Sequence, residues 1–103
     1  MLDLSLAGKR AVVTGASLGI GAATVRMLAD HGARVTFCAR SEDAVSELSA
    51  YEASNGGAVH GIVADMGEGK SVDEFLDEVE AQGGTDILIN NVGASPSRNF
   101  LYM

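Results

Sequence analysis

Residues 12–21 read Val-Val-Thr-Gly-Ala-Ser-Leu-Gly-Ile-Gly, and this stretch decides the fold. An apolar strand runs into a glycine-rich turn, and residues with helical spacing follow at once. Gly15 permits a tight turn, while the missing Cβ atoms of Gly19 and Gly21 let a pyrophosphate approach the backbone and let the helix pack close to the strand. The free N–H groups and positive dipole end of that helix favour an anion. The spacing G-x-x-x-G-x-G differs from the G-x-G-x-x-G dinucleotide fingerprint, but it predicts the same strand, phosphate-binding turn and helix.

The composition predicts one small, soluble, globular domain. The chain has 103 residues, of which 47% are hydrophobic, and a formal net charge of −7. That charge disfavours nucleic acid and anionic membrane surfaces as partners. No segment has the length of a membrane span, and Met1–Leu6 lacks the pattern of a signal peptide. The single cysteine, Cys38, favours a cytoplasmic location and reads as a small core side chain rather than a nucleophile. The acidic residues between positions 68 and 80 have no His or Cys among them, so we expect no metal site.

Strand-like and helix-like segments alternate along the chain, which predicts parallel α/β winding. The predicted strands are Ala11–Val13, Arg34–Cys38, Ala58–Val63 and Asp86–Asn90. With right-handed crossovers, a doubly wound sheet places them in the order 3-2-1-4, in three layers with helices on both faces. A ligand is then expected outside the carboxyl ends of the first and fourth strands. The fourth strand is expected to form an exposed edge.

The predicted helices follow from hydrophobic spacing and capping residues. The first carries Ile20, Ala23, Met27, Leu28 and His31 at helical spacing, and Gly32 suits a left-handed cap at its end. Ser41 is predicted to cap the second, with Val45 and Leu48 facing inward and either Tyr51 or Glu52 continuing that stripe. For the third, Ser71 and Glu74 read as a capping box. Its expected buried residues are Val72, Phe75, Leu76 and Val79.

A second motif, Asn90-Asn91-Val92-Gly93, ends the fourth predicted strand. Taken with the glycine turn, it resembles the short-chain dehydrogenase/reductase family, in which Asn-Asn-Ala-Gly is usual. The resemblance covers essentially the whole chain and implies a Rossmann-type fold. It implies that residues 1–103 are the N-terminal dinucleotide-binding part of a single domain that continues into a catalytic half. The simpler alternative for this motif is an asparagine-rich turn.

The resemblance also implies a cofactor site, with the turn from Thr14 to Gly21 holding the pyrophosphate and adenosine ribose. Asp65 is implied to accept a hydrogen bond from the adenine amino group, although an acidic residue after a strand is also common in turns. Asn91 is implied to tie neighbouring strands together, and Gly93 to leave room for the nicotinamide and its ribose. The implied cofactor-binding residues are Gly15, Ser17, Leu18, Gly19, Ile20, Gly21, Arg40, Ser41, Asp65, Met66, Asn91, Val92 and Gly93.

The end of the second strand bears on the choice of cofactor. Ala39 stands where members that prefer NAD usually carry Asp, and Arg40 follows it. A guanidinium pairs bidentately with phosphate, so the resemblance favours NADP(H) over NAD(H), with Arg40, Ser41 and Ser17 at the 2′-phosphate. Leu18 departs from many NADP-preferring relatives, which carry a basic residue there. Arg40 as a solvated surface cation is the alternative.

The family's chemistry depends on a Tyr-x-x-x-Lys pair, a serine and an asparagine, none of which has a counterpart here. Neither Tyr51 nor Tyr102 is followed four residues later by Lys, so we predict no catalytic residue in this chain. The resemblance implies that the parent protein moves hydride between a nicotinamide and a carbonyl or alcohol substrate, and that it is a homo-oligomer at full length. We expect this chain to be a fragment, inactive without a companion C-terminal segment, with an exposed cleavage site at Leu101–Met103.

Two other functions are considered. A non-catalytic nucleotide-binding module, or an inactive fragment, needs only the features already present. A methyltransferase on a similar fold needs an acidic residue after the second strand to hold ribose hydroxyls, and Ala39-Arg40 does not provide one.

Overall fold

The structure is a computed structural model that describes residues 5–16, 19–90 and 100–102. Its elements in chain order are β1 (Arg10–Thr14), α1 (Gly19–Asp30), β2 (Arg34–Ala39), α2 (Glu42–Ser49), β3 (Ala58–Val63), α3 (Gly69–Ala81), β4 (Ile87–Asn90) and β5 (Phe100–Tyr102). The strands form one sheet in the order β3-β2-β1-β4-β5. The pairs β3–β2, β2–β1 and β1–β4 are all parallel, which confirms the predicted order 3-2-1-4.

The expectation that β4 forms an exposed edge is wrong. β5 pairs with β4 in antiparallel fashion, with Leu88 opposite Tyr102 and Ile89 opposite Leu101. The same pairing places Leu101 and Tyr102 in a strand rather than in the exposed loop expected for a cleavage site. The physical reason is that a free strand edge presents unpaired N–H and C=O groups, which an extended segment of the same chain satisfies by pairing.

Alternate residues of the strands face two separate cores. Val13 and Phe37 belong to one core, which packs beneath α1 and α2 through residues such as Leu28. Val12 and Cys38 point to the other face, where Phe75 and Val79 of α3 cover them. Helices therefore lie on both faces of the sheet, and the predicted three-layer α/β architecture is confirmed.

The buried face of α1 differs from the predicted one. Ile20 is 70% exposed and Met27 is 52% exposed, and of the predicted series only Leu28 is buried. The residues that α1 buries are Gly21, Ala22, Val25, Leu28 and Ala29. Most of these side chains are small, so the helix lies close to the sheet, whereas the prediction gave weight to the larger hydrophobic residues. Gly32 follows at φ +99°, which confirms the left-handed cap.

The start of α2 is as predicted, but the start of α3 is not. Ser41 Oγ accepts a hydrogen bond from the Ala44 N–H at 3.2 Å and caps α2. α3 begins at Gly69, so Ser71 lies inside the helix and the predicted capping box is wrong. The turn after β3 brings the chain into the helix early, because the Glu68 N–H donates to the Asp65 carbonyl at 3.0 Å. Phe75 and Val79 are buried as predicted, Val72 is half-buried and Leu76 is exposed.

Candidate cofactor-binding site

The parallel register brings three turns to one edge of the sheet. Thr14 pairs with Asn90, and Ala39 pairs with Val63, so β1 to β4 end at the same side of the molecule. Gly15 and Arg40 come directly after β1 and β2, and Asp65 is the second residue after β3. The edge formed by these strand ends is called the carboxyl edge below. The predicted site residues that the structure describes lie at or next to this edge.

The turn after β1 has a backbone that requires glycine. Gly15 has φ +66° and Gly19 has φ +59°, in the left-handed region that side chains disfavour. The N–H of Ala16, which is fully buried, donates to the Cys38 carbonyl at 3.1 Å and fixes the turn against β2. A Cβ placed on Gly19 would meet no atom of the described residues within 4 Å, so these residues leave the space over the start of α1 open.

Several predicted site residues border this turn. Gly21 is buried against the sheet, and Ile20 is exposed in the first turn of α1. Ser17, Leu18, Asn91, Val92 and Gly93 lie outside the described residues, so their roles stay predictions.

A hydrogen bond that sequence reasoning missed connects β1 with β4. Thr14 Oγ1 donates to Asn90 Oδ1 at 2.7 Å, at a partly buried position. The family resemblance assigns such a link to Asn91, which lies outside the described residues; among the described residues, Asn90 makes one. The signal in the sequence was a threonine and an asparagine that each end a strand.

Cys38 lies in the core beneath this edge, as predicted. Burial raises the pKa of its thiol, while a hydrogen bond from the Gly15 N–H acts in the opposite direction. The thiol therefore stays protonated at neutral pH and is a packing group.

The end of β2 presents a cation and no carboxylate. Ala39 is buried, and Arg40 and Ser41 are exposed beyond it. Within the described ranges 5–16, 19–90 and 100–102, Arg40 forms no salt bridge. The Ser41 oxygen accepts the capping hydrogen bond of α2, which leaves its own O–H free to donate. The next two residues, Glu42 and Asp43, are acidic and occupy the first turn of α2.

Asp65 shows the turn chemistry considered as an alternative. Its Oδ1 accepts a hydrogen bond from the Gly67 N–H at 2.8 Å. The second carboxylate oxygen is left to accept from another donor. Met66 is half-buried and packs against the core under α3. The adenine contacts expected of these two residues remain predictions.

Tyr51 has a structural role at the far end of α1. Its hydroxyl donates to Asp30 Oδ2 at 2.6 Å, and the Ser54 N–H donates to Asp30 Oδ1 at 2.9 Å. This hydrogen bond, donated by the Tyr51 hydroxyl to the Asp30 carboxylate, is the main reason that the pKa of Tyr51 is raised and that of Asp30 is lowered. These contacts fasten the loop after α2 to the end of α1.

Two further properties concern the described part of the chain. No helix there is long and apolar enough to cross a bilayer. No group of three or more His, Cys, Asp or Glu side chains in the same residues is placed to hold a metal ion.

Comparisons with known proteins agree with this geometry. The sequence profile of the family described as short chain dehydrogenase matches residues 9–103. A fatty acyl-CoA reductase of Mycobacterium tuberculosis is 37% identical over 99 residues, covering 95% of this chain and 34% of that protein. A 3-oxoacyl-[acyl-carrier-protein] reductase of Escherichia coli is 38% identical over 91 residues, covering 87% of this chain and 36% of that protein.

A solved structure shows the same fold. L-sorbose reductase from Gluconobacter frateurii, complexed with NADPH and L-sorbose, superposes with a TM-score of 0.79 at 33% identity. The match covers 90% of this chain and 36% of that one, so the present chain spans about a third of the length of the relatives it matches. The profile match over nearly the whole sequence and the shared parallel sheet show that this chain belongs to the short-chain dehydrogenase/reductase family of oxidoreductases.

Proposed function

We propose that this chain is the cofactor-binding part of an oxidoreductase that uses NADP(H) and moves hydride to or from a carbonyl or hydroxyl group of a small substrate. The observation that carries the proposal is the pair Ala39-Arg40 at the same sheet edge as the glycine turn. A buried alanine stands where an acidic residue would hold both ribose hydroxyls, and an exposed cation follows it.

The turn after β1 fits a dinucleotide. The positive φ of Gly15 and Gly19 and the open space over Gly19 support a pyrophosphate lying against the start of α1. The first N–H groups of a 12-residue helix would donate to it, aided by the helix dipole. Gly21 would keep the helix close to the sheet, and Ile20 would give the ligand an apolar contact. Ser17 and Leu18 would complete this turn.

Arg40 would distinguish the two cofactors. Its guanidinium would pair with the 2′-phosphate of NADP(H), and the free O–H of Ser41 would donate to the same group. Glu42 and Asp43, two residues further on, oppose a phosphate there and limit the preference. A hydrogen bond to a charged partner contributes about 1.5 to 3 kcal/mol, and because of this opposition we expect the lower end, about a tenfold preference.

The remaining predicted contacts would lie along the same edge. The second oxygen of Asp65 would accept from the adenine amino group, with the backbone of Met66 beside it. Asn91, Val92 and Gly93 follow β4 and would border the nicotinamide end of the ligand. Asn90 and Thr14 would hold β4 and β1 in place beneath it.

The bound nicotinamide would supply or accept the hydride, and this chain would bind and orient it. The 103 residues contain no Tyr-x-x-x-Lys pair to move a proton at the substrate oxygen. We therefore propose that this polypeptide alone does not turn over. Positioned acid–base catalysis contributes roughly 10²- to 10⁴-fold and would have to come from a companion C-terminal segment. A cytoplasmic location and a homo-oligomeric parent protein belong to the same proposal.

Cofactor titrations test the binding part of the proposal. NADPH and NADH are titrated by calorimetry against the chain, against Arg40→Ala and against Lys9→Ala, which removes an exposed cation near the other end of β1. Arg40→Ala should remove most of the preference for NADPH, and Lys9→Ala should leave it unchanged. Equal affinities for the two cofactors in the unaltered chain would contradict the assignment.

A separate assay tests the catalytic part. NADPH oxidation is followed with a panel of ketones, using the chain purified free of any companion segment. No turnover is expected, and cofactor binding without turnover is also what a non-catalytic nucleotide-binding module would show. Recovery of activity on adding a segment that carries the Tyr-x-x-x-Lys pair supports the oxidoreductase over the module. Steady turnover by the chain alone would contradict the proposed inactivity.

A further inference from the structure

The opposite edge of the sheet, where the strands begin, holds a group of basic and polar side chains. Arg10 pairs with Arg34 in the register of β1 and β2, and Thr36 pairs with His60 in the register of β2 and β3. These four residues alternate in step with Val12 and Cys38, so they share the sheet face that α3 covers. They line a cavity of about 110 Å³, to which Gln82 and Gly84 also contribute. This cavity is called the amino-edge cavity below.

Among residues 5–16, 19–90 and 100–102, one buried polar atom of the amino-edge cavity has no hydrogen-bond partner. Thr36, which is only 7% exposed, also lines this cavity. The Nε atom of Arg10 is buried and has no partner in the same part of the chain. Buried polar groups are ordinarily hydrogen-bonded, and leaving one unpaired is costly. An unpaired guanidinium nitrogen and a hydroxyl in one cavity indicate a ligand that accepts hydrogen bonds.

The charges of the cavity point to an anion. Arg10 and Arg34 are neighbours on adjacent strands, where like charges repel. His60 has a counter-charge in Glu78, at 3.4 Å, but neither arginine has a salt bridge among the described residues. Asp86 contacts the backbone of Arg10: the Arg10 N–H donates to Asp86 Oδ2 at 2.9 Å, and the Asp86 N–H donates to the Arg10 carbonyl at 2.8 Å.

We propose that the amino-edge cavity binds a phosphate group. Its volume admits one tetrahedral oxyanion and little more, so the rest of a phosphorylated molecule would extend into solvent. The two guanidinium groups would pair with the phosphate oxygens, and the Thr36 O–H and the Gln82 amide would donate to it. This site lies at the end of the sheet opposite to the glycine turn and is independent of the proposed dinucleotide site.

A purely structural role for Arg10 is the competing explanation. Its guanidinium lies beside Gly83, close to the end of α3, where a cation offsets the negative end of the helix dipole. In that case no ligand is needed, and added phosphate would leave the cavity unchanged.

Nuclear magnetic resonance titration of the full chain distinguishes phosphate binding from a purely structural role for Arg10. Amide shifts of Arg34, Thr36 and Gly84 are followed as sodium phosphate replaces sodium chloride at constant ionic strength. Saturating shifts at these amides are expected, and shifts near Gly15 and Gly19 are fitted separately because they report the other edge. Methyl phosphate is titrated in parallel. If it binds as tightly as inorganic phosphate, the ligand can be a phosphomonoester. If it does not bind, the ligand is the free phosphate ion.

Phosphate binding by two variants of cavity residues and one control variant tests the proposed site. Thr36→Val keeps the side-chain shape but removes the hydroxyl, and Arg34→Gln removes an exposed charge, so neither should prevent folding. Each should weaken phosphate binding about tenfold, whereas Arg26→Ala, an exposed cation on α1, should not. The proposal is overturned if phosphate and chloride give the same shifts at this edge. It is also overturned if both variants bind phosphate as the unaltered chain does.

Discussion

In the described part of the chain, two helices, α1 and α2, cover one face of the sheet, and one helix, α3, covers the other. Among the described residues, the first core contains 14 buried residues and the second contains five, so most of the buried contact described lies under α1 and α2. The first core is built largely from small residues that bring backbones together. The second depends on a few large side chains, chiefly Phe75, and leaves room for polar residues such as Thr36 and His60 beneath α3. The first face therefore contributes more to stability than the second. The second face carries polar side chains that are not part of its hydrophobic core.

The largest expected effect compares the two aromatic core residues. Phe37→Ala should lower the free energy of unfolding by about 3 to 5 kcal/mol, since Phe37 is fully buried in the larger core. Phe75→Ala should cost less, because fewer buried residues surround it. Urea denaturation measures both, with the exposed Leu76→Ala as a control that changes little. An equal or greater loss for Phe75→Ala would refute the unequal division of stability.

The next effect tests the close backbone packing of the first face. A Cβ on Gly57 would overlap the carbonyl of Ala29 in α1, so Gly57→Ala should destabilise the protein by about 1 to 3 kcal/mol. Gly69→Ala is the matched control, because a Cβ there meets no atom within 4 Å. Thermal unfolding of the two variants makes the comparison. Similar midpoints would mean that this contact contributes little to stability.

A smaller effect concerns the carboxyl edge. Arg40→Ala should lower NADPH affinity about tenfold, the equivalent of about 1.4 kcal/mol, and leave NADH affinity nearly unchanged. Thermal unfolding without ligand should not change, because Arg40 is exposed. Parallel losses for both cofactors would show that Arg40 contacts a part of the ligand that the two share.

The smallest effect is a pH dependence at the end of α1. The Tyr51 hydroxyl, followed by the Ser54 N–H, lowers the pKa of Asp30 below 3.8. The contribution of Asp30 to stability is therefore present above pH 3.8 and is lost as the pH falls through the lower folded value. Tyr51→Phe should weaken the protein slightly at pH 7 and converge with the unaltered chain in acid. A constant difference across an acid series of unfolding curves would contradict this link.

Sequence reasoning was accurate for the start of α2 and the end of α1, and it failed for the buried face of α1 and the start of α3. Ser41 predicted the start of α2 because its side chain caps the helix, and Gly32 predicted the end of α1 because it adopts a positive φ. The α1 face was misread because its contact with the sheet selects small residues, which leaves Ile20 and Met27 exposed. The early start of α3 depends on a backbone hydrogen bond to Asp65, for which the sequence has no motif.

The candidate sites divide in the same way. The glycine turn and Arg40 could be predicted, because φ preferences and charge are properties of single residues. The hydrogen bond between Thr14 and Asn90 joins residues that are 76 positions apart and needed the register of the sheet. The amino-edge cavity also could not be predicted without the register of the sheet, because Arg10 and Arg34 become neighbours only when β1 and β2 align.

That same Thr14–Asn90 contact has a consequence for how the strands align. β4 is four residues long, and sliding it by two residues would keep every side chain on its present face. Polar contacts at both ends oppose such a slip: Asp86 exchanges two hydrogen bonds with the Arg10 backbone at the start, and Asn90 accepts from Thr14 at the finish. A short apolar strand, which hydrophobic contact alone would leave free to shift, is thereby fastened in a single alignment from both of its ends.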